Sequence, residues 1–409
     1  MSIRGIGNNT FAPQTDETNF SQVSSPTDSV FVNDLPPVNI HLPKALQNTN
    51  GSDFAADFQA DFTKTRLNNL LDTASDDVSK YLSSKEFSQL DPSVQESVKK
   101  NLEAVKNNPQ SVKNFVELAK SGGFRSANKE LQSAMLNSLA KRPKDKIYRA
   151  ALQEAVGRDD FKKLAQDKRA KVIEDLDKFA DTTSYKGSAA ADLSDDDKKF
   201  TLEKIRKTSV FSGQNPTNDI VRNTVDNIVS GNIALKLYEK DSSVNVNGTG
   251  STEFGYNKSG TKDIYINKKA NDTDYKEFID TLSHETNHAL NGNAKLKYVT
   301  DAFLSEYRAH IIGQKAAGKT VDKAALKAIV NNLALAEPVI DSKTKKPKDL
   351  YSEIRQTYKN DKNFKTLVDQ LVKDIDKGTL VDGSDLRTRL MTAGYNSDYI
   401  KNTNNINNK

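Results

Sequence analysis

The chain has 409 residues, 60 of them lysine or arginine and 55 aspartate or glutamate, for a net charge of +5. The charges are interspersed, with no basic stripe interleaved with aromatics, which argues against a nucleic-acid partner; the absence of cysteine excludes disulfides and thiolate metal sites. At 35% hydrophobic, and with no apolar run near the ~20 residues of a bilayer span, it reads as two or three domains with polar tails and no membrane span.

Residues 1–55 are rich in Ser, Thr, Asn, Gln and Pro, and contain no lysine or arginine between Arg4 and Lys44. Such a segment buries too little apolar surface to offset its ordering entropy, so a disordered tail is predicted, with His41 isolated in it. The tail lacks the basic and apolar regions of a cleaved signal peptide. Its composition resembles the uncleaved N-terminal signals of bacterial type III effectors. That likeness implies secretion, delivery into a host or target cell, and a secretion chaperone as partner of this region.

From about Phe58 to Arg206 apolar residues recur at helical spacing, as in Val94, Val98, Leu102 and Val105, and a helical domain is predicted over 56–212. Asp91-Pro92 and Asn108-Pro109 read as helix starts, each a capping residue followed by proline at the first helical position. Gly122-Gly123 and Arg142-Pro143 read as breaks. After Gly213 the character changes. Ile220–Ile228 is a further helix, Ile233–Tyr238 alternates like a strand, and a Gly/Ser/Asn/Thr-rich stretch runs from Ser242 to Gly260. Asp263–Asn267 is a second short strand. Helical patterning resumes beyond Lys295, passes a lysine-rich solvated loop at Lys343–Lys348, and ends near Tyr399 with two short helices at Asp385–Met391 and Asn396–Ile400. These elements form a second domain over 213–400, before a polar tail at 401–409.

Three of the four histidines lie in this second domain, and two of them frame His284-Glu285-Thr286-Asn287-His288, an H-E-x-x-H pattern. Asp272-Thr273 is its N-terminal cap and Asn291-Gly292 its stop. At ~100° per residue, His288 falls about 40° from His284, so both rings leave one face a turn apart. Phe278, Ile279, Leu282 and Ala289 fall opposite, so the helix is expected to dock that face on a core and present its histidines to a polar cleft. Paired imidazoles at this spacing suit a zinc ion, and a catalytic zinc takes three protein ligands. Glu306, 18 residues after His288 on a second predicted helix, completes a His2Glu set, with His310 one turn on as its competitor.

An H-E-x-x-H helix, a downstream helix bearing a glutamate and a strand just upstream resemble the zincin metallopeptidases of the gluzincin type. His284-Glu285-x-x-His288-Ala-Leu-x-Gly292 followed by Glu306-Tyr-Arg-Ala is similar to the minimal protease domains of bacterial toxins and secreted effectors. The likeness covers residues 230–315. It departs from thermolysin-like enzymes in lacking the N-E-x-x-S-D setting, which leaves Asp301 or no carboxylate behind the third ligand. The resemblance implies one Zn2+ held by His284, His288 and Glu306, with Glu285 as general base. Tyr307, Arg308 and His310 are the candidates for a transition-state donor. The strand at Ile264, Tyr265 and Ile266 is expected to be an edge along which a peptide lies by main-chain pairing.

The expected fold is thus mainly α with a small α+β zincin-like catalytic domain, a short mixed sheet plus the H-E-x-x-H helix. The expected activity is zinc-dependent cleavage of a protein or peptide substrate, for a secreted effector a host protein. Two other readings stay open at this point. One is a non-catalytic helical adaptor using zinc, if at all, structurally. The other is a metal-dependent hydrolase of peptidoglycan or small peptides.

Overall fold

The computed structural model describes residues 76–239, 255–257, 261–268, 275–291 and 299–378. Both predicted tails, His41, the caps at Asp272-Thr273 and Gly292, and the two helices expected after Asp385 lie outside them. The longer helices are α1 (Pro92–Val105), α2 (Pro109–Lys120), α3 (Lys129–Lys141), α4 (Lys146–Gly157), α5 (Gln166–Phe179), α6 (Asp195–Gln214) and α7 (Asp219–Val229). Strands β1 (Ala234–Tyr238), β2 (Gly255–Asn257) and β3 (Asp263–Asn267) follow. Then come α8 (Tyr275–Leu290), α9 (Val299–Ala316), α10 (Lys323–Val330), α11 (Leu350–Asn360) and α12 (Lys362–Asp376). Among the described residues no helix is long and apolar enough to cross a membrane.

The helix starts form for the expected reason. The Asp91 carboxylate accepts from Ser93 N–H and the Asn108 side chain from Ser111 N–H, each followed by proline at the first helical position. Ser194 caps α6 ahead of three aspartates, where the helix dipole favours negative charge. Gly122-Gly123 is not simply a break: Ser121 caps a one-turn helix, Gly122–Arg125, that contains both glycines. The expected loop at Lys343–Lys348 is exposed and turns through Lys345 at a φ of 59°.

The sheet is mixed, in the order β1-β3-β2. β3 runs parallel to β1, pairing Leu235 with Ile264, and antiparallel to β2, pairing Tyr256 with Tyr265. This corrects the role expected for Ile264, Tyr265 and Ile266. Their strand is central, with partners on both sides, and Ile264 and Ile266 are buried in the core. A strand paired on both edges has no main-chain groups left for a peptide.

Nor does the apolar core divide at residue 213. One core runs from Tyr81 through α1–α7 and the sheet to Phe278, Ile279, Leu282 and Ala289 of α8, and takes in Ala316 at the end of α9. Arg222 on α7 forks onto the fully buried Asp175 of α5, at 2.8 and 3.0 Å, tying the two sides of the expected boundary together. A second core runs from Val299 to Ile375 and joins α9–α12. The two cores meet through the pair α8 and α9, which pack extensively on each other.

Candidate metal centre

Helix α8 carries the H-E-x-x-H pattern, and its apolar face packs on the sheet and α7 as the wheel requires. The opposite face is not open. It is covered by α9, with His284 and His288 each 3% exposed and Glu285 2%. The polar face of α8 meets a second polar face, on which Glu306 is fully buried and His310 nearly so. Gly313 allows this approach. A Cβ there would run into the Asp280 carboxylate and lie 2.6 Å from the Asp280 carbonyl oxygen.

His284, His288 and Glu306 offer ligand atoms that all lie within 4.8 Å of one another. The two Nε2 atoms are 3.0 Å apart. Glu306 Oε2 is 3.4 Å from His284 Nε2, and Oε1 is 3.3 Å from His288 Nε2. Oε1 is nevertheless buried without a hydrogen-bond partner. On the far side of its ring, His288 Nδ1 lies 3.1 Å from Ser305 Oγ, so an Nδ1 proton given to that hydroxyl would leave Nε2 bare for a cation.

The electrostatics favour positive charge here. Burial pulls the His284 pKa down most strongly, but the Glu306 hydrogen bond and the charges of Glu285, Glu306 and Asp280 outweigh it and raise the group to about 9. Burial pushes Glu306 up, yet His288 and His284 hold it well below the usual carboxylate range. Glu285 moves the other way: burial raises it, more than the two imidazoles and the Asn257 N–H draw it down. Two buried carboxylates and two buried imidazoles, with converging nitrogens and an unpartnered oxygen, fit a divalent cation. In its absence a proton on His284 supplies part of that charge.

A pH dependence follows. At pH 7 the metal-free His284 is protonated, so binding a divalent cation displaces a proton, and apparent affinity should rise up to ~tenfold per pH unit between pH 7 and 9. The sign of the metal-free stability is fixed by the same shift. A folded pKa above the unfolded value of about 6.5 gives stability that is complete below pH 6.5 and lost as pH climbs through 9. Zinc titrations across this range check the first point; affinity independent of pH would contradict it.

The structure brings together His284, Glu285, His288 and Glu306, as the sequence predicts. Glu285 Oε2 accepts from the backbone N–H of Asn257 at 2.7 Å, which places the carboxylate beside β2. His310 is next to the cluster but not in it. Its ring meets that of His284 edge-on at 4.6 Å, while its Nε2 lies 3.1 Å from the Tyr351 hydroxyl. Burial, then the charge of His284, lower its pKa to about 3, so it stays neutral. Tyr307 lies in the second core with its ring stacked on Phe303, and Arg308 is exposed; neither takes the expected donor place. The hydroxyl that reaches the ligand set belongs to Tyr351, which donates to Glu306 Oε2 at 2.8 Å. No family model, curated protein or solved structure matches this chain.

The helix contact yields a further expected result. Alanine normally favours a helix interior over glycine by ~1 kcal/mol. At Gly313 the new methyl meets the Asp280 backbone, so Gly313→Ala should instead destabilise by about 1–3 kcal/mol and weaken zinc binding by moving Glu306 from the histidines. Urea unfolding with a zinc titration checks both; a more stable variant with unchanged affinity would contradict the close contact.

Proposed function

We propose that this chain is a zinc-dependent endopeptidase in which Glu285 is the general base. The observation that carries the reading is the buried convergence of His284, His288 and Glu306, with Glu285 on the same helix as the two imidazoles. Bound zinc supplies a Lewis acid and a water acidified toward neutrality. Glu285 is suited to take a proton from that water and return it to the leaving amine, because burial raises its pKa toward the working range of a base. The Asn257 N–H holds one of its oxygens in place.

Strand β2 supports a peptide substrate. Asn257 N–H turns to Glu285 rather than to β3, so by two-residue alternation Gly255 and Asn257 direct their backbone groups to the outer edge of β2. Among the described residues no strand covers that edge. An extended substrate pairing there would lie beside Glu285. The place expected for β3 thus passes to its neighbour.

Among the described residues three protein donors converge, one short of the four of a closed structural zinc site, and His310, the obvious fourth, is turned to Tyr351. This favours catalysis over a purely structural metal. The tail composition adds the proposal of a secreted bacterial effector with a host protein as target. The test is incubation of candidate lysates with zinc-loaded wild type and with Glu285→Gln, followed by sequencing of new protein N-termini. New termini from wild type alone support the reading; none from either protein, with zinc bound, counts against it.

A further inference from the structure

We propose that His310 and Tyr351 form a directed hydrogen-bond relay that fixes how the Glu306 carboxylate faces His284 and His288. The inference rests on the metal-site reading above and concerns residues that would not touch the ion.

The direction of the relay follows from proton counting. An ionised carboxylate has no proton to give, so the 2.8 Å contact at Glu306 Oε2 is made by the Tyr351 hydroxyl proton. A phenol has only one such proton. The 3.1 Å contact between Tyr351 and His310 Nε2 must therefore be donated by the imidazole. This fixes His310 as the Nε2–H tautomer, with Nδ1 bare, and stops the hydroxyl from rotating away from Glu306. The chain of donors runs from His310 to Tyr351 to Glu306.

The placement makes this more than the pairing of stray polar groups. His310 and Glu306 stand one turn apart on α9, and Tyr351 reaches both from α11, with its ring 6.3 Å from that of His310. All three side chains are buried. The carboxylate is held in one orientation: Oε2 accepts from Tyr351 and lies 3.4 Å from His284 Nε2, and Oε1 lies 3.3 Å from His288 Nε2 with no hydrogen-bond partner. The His310 ring also lies edge-on to that of His284, so one side chain braces a ligand and supports the residue that orients another. Sequence reading offered His310 as a competing ligand; the relay makes it a positioning residue instead.

The test is a zinc competition titration against a chromogenic chelator on the full chain, for wild type, Tyr351→Phe, His310→Phe and His310→Gln. Tyr351→Phe removes one hydroxyl and keeps the ring, and should weaken zinc affinity ~10–100-fold with the circular dichroism spectrum unchanged. His310→Phe should weaken it in the same direction. His310→Gln, whose amide can still donate to the phenol, should recover most of the loss, which a merely space-filling role for His310 would not produce. Wild-type affinity retained in Tyr351→Phe and His310→Phe overturns the relay alone. A folded wild type without zinc affinity overturns the metal reading and the relay with it.

Discussion

Replacing Glu285 by glutamine should lower peptide hydrolysis by roughly 10²–10⁴-fold, the usual range for losing a general base, or about 2.7–5.4 kcal/mol of barrier. Glutamine keeps the shape of the side chain, and its amide oxygen can still accept from Asn257 N–H, so α8 should remain seated against β2. What it lacks is a site for the proton. Glu285 is outside the ligand group formed by His284, His288 and Glu306, so zinc should still bind when supplied in excess. Affinity should fall modestly, because a buried negative charge near the cation is gone. The measurement is cleavage of a peptide library by mass spectrometry at zinc saturation. Turnover within about threefold of wild type would remove Glu285 from the base role.

A second large effect is expected on stability. Zinc at a thousand times its dissociation constant should stabilise the native chain by about 4.1 kcal/mol, and a chelator should reverse this. The metal-free site explains why the ion has so much to offer. Two imidazole nitrogens face each other at 3.0 Å, two carboxylates are buried beside them, and one oxygen of Glu306 has no hydrogen bond. Burying charges without compensation costs several kcal/mol per ion, and a dication compensates both carboxylates at once. Calorimetry with and without zinc should show an upward shift in Tm that is lost in His284→Ala and His288→Ala. An unshifted transition in wild type at millimolar zinc would contradict a preformed site.

The parts of the site legible in the sequence were those governed by local geometry. A spacing of four places His284 and His288 on one side of any α-helix, whatever surrounds it, and the helical pattern around Glu306 placed that carboxylate on the next helix. The proline-bearing caps at Asp91 and Asn108 were legible for the same reason. Contacts set by tertiary packing were not. β2 is a three-residue strand inside a stretch rich in Gly, Ser, Asn and Thr, too short for any alternation to register, yet it supplies the Asn257 N–H on Glu285. The order β1-β3-β2 is invisible in periodicity, which is why β3 was expected at an edge. Tyr351 reaches Glu306 across 45 positions, and nothing in Leu350-Tyr351-Ser352 marks it as different from a core aromatic. The wheel identified the polar face of α8 but not what would cover it.

The division of the ligands between two helices has a consequence for how such a protein would behave where the ion is scarce. Two of the three ligands stand on α8, whose other face belongs to the first core, and the third stands on α9, at the start of the second. The cation would thus act as a clasp across the α8–α9 contact, adding to helix packing that is already close at Gly313. Stripped of it, the buried charges along that contact would face one another without their counter-ion, so catalytic readiness and the seating of one helix on the other would be governed by a single chemical event.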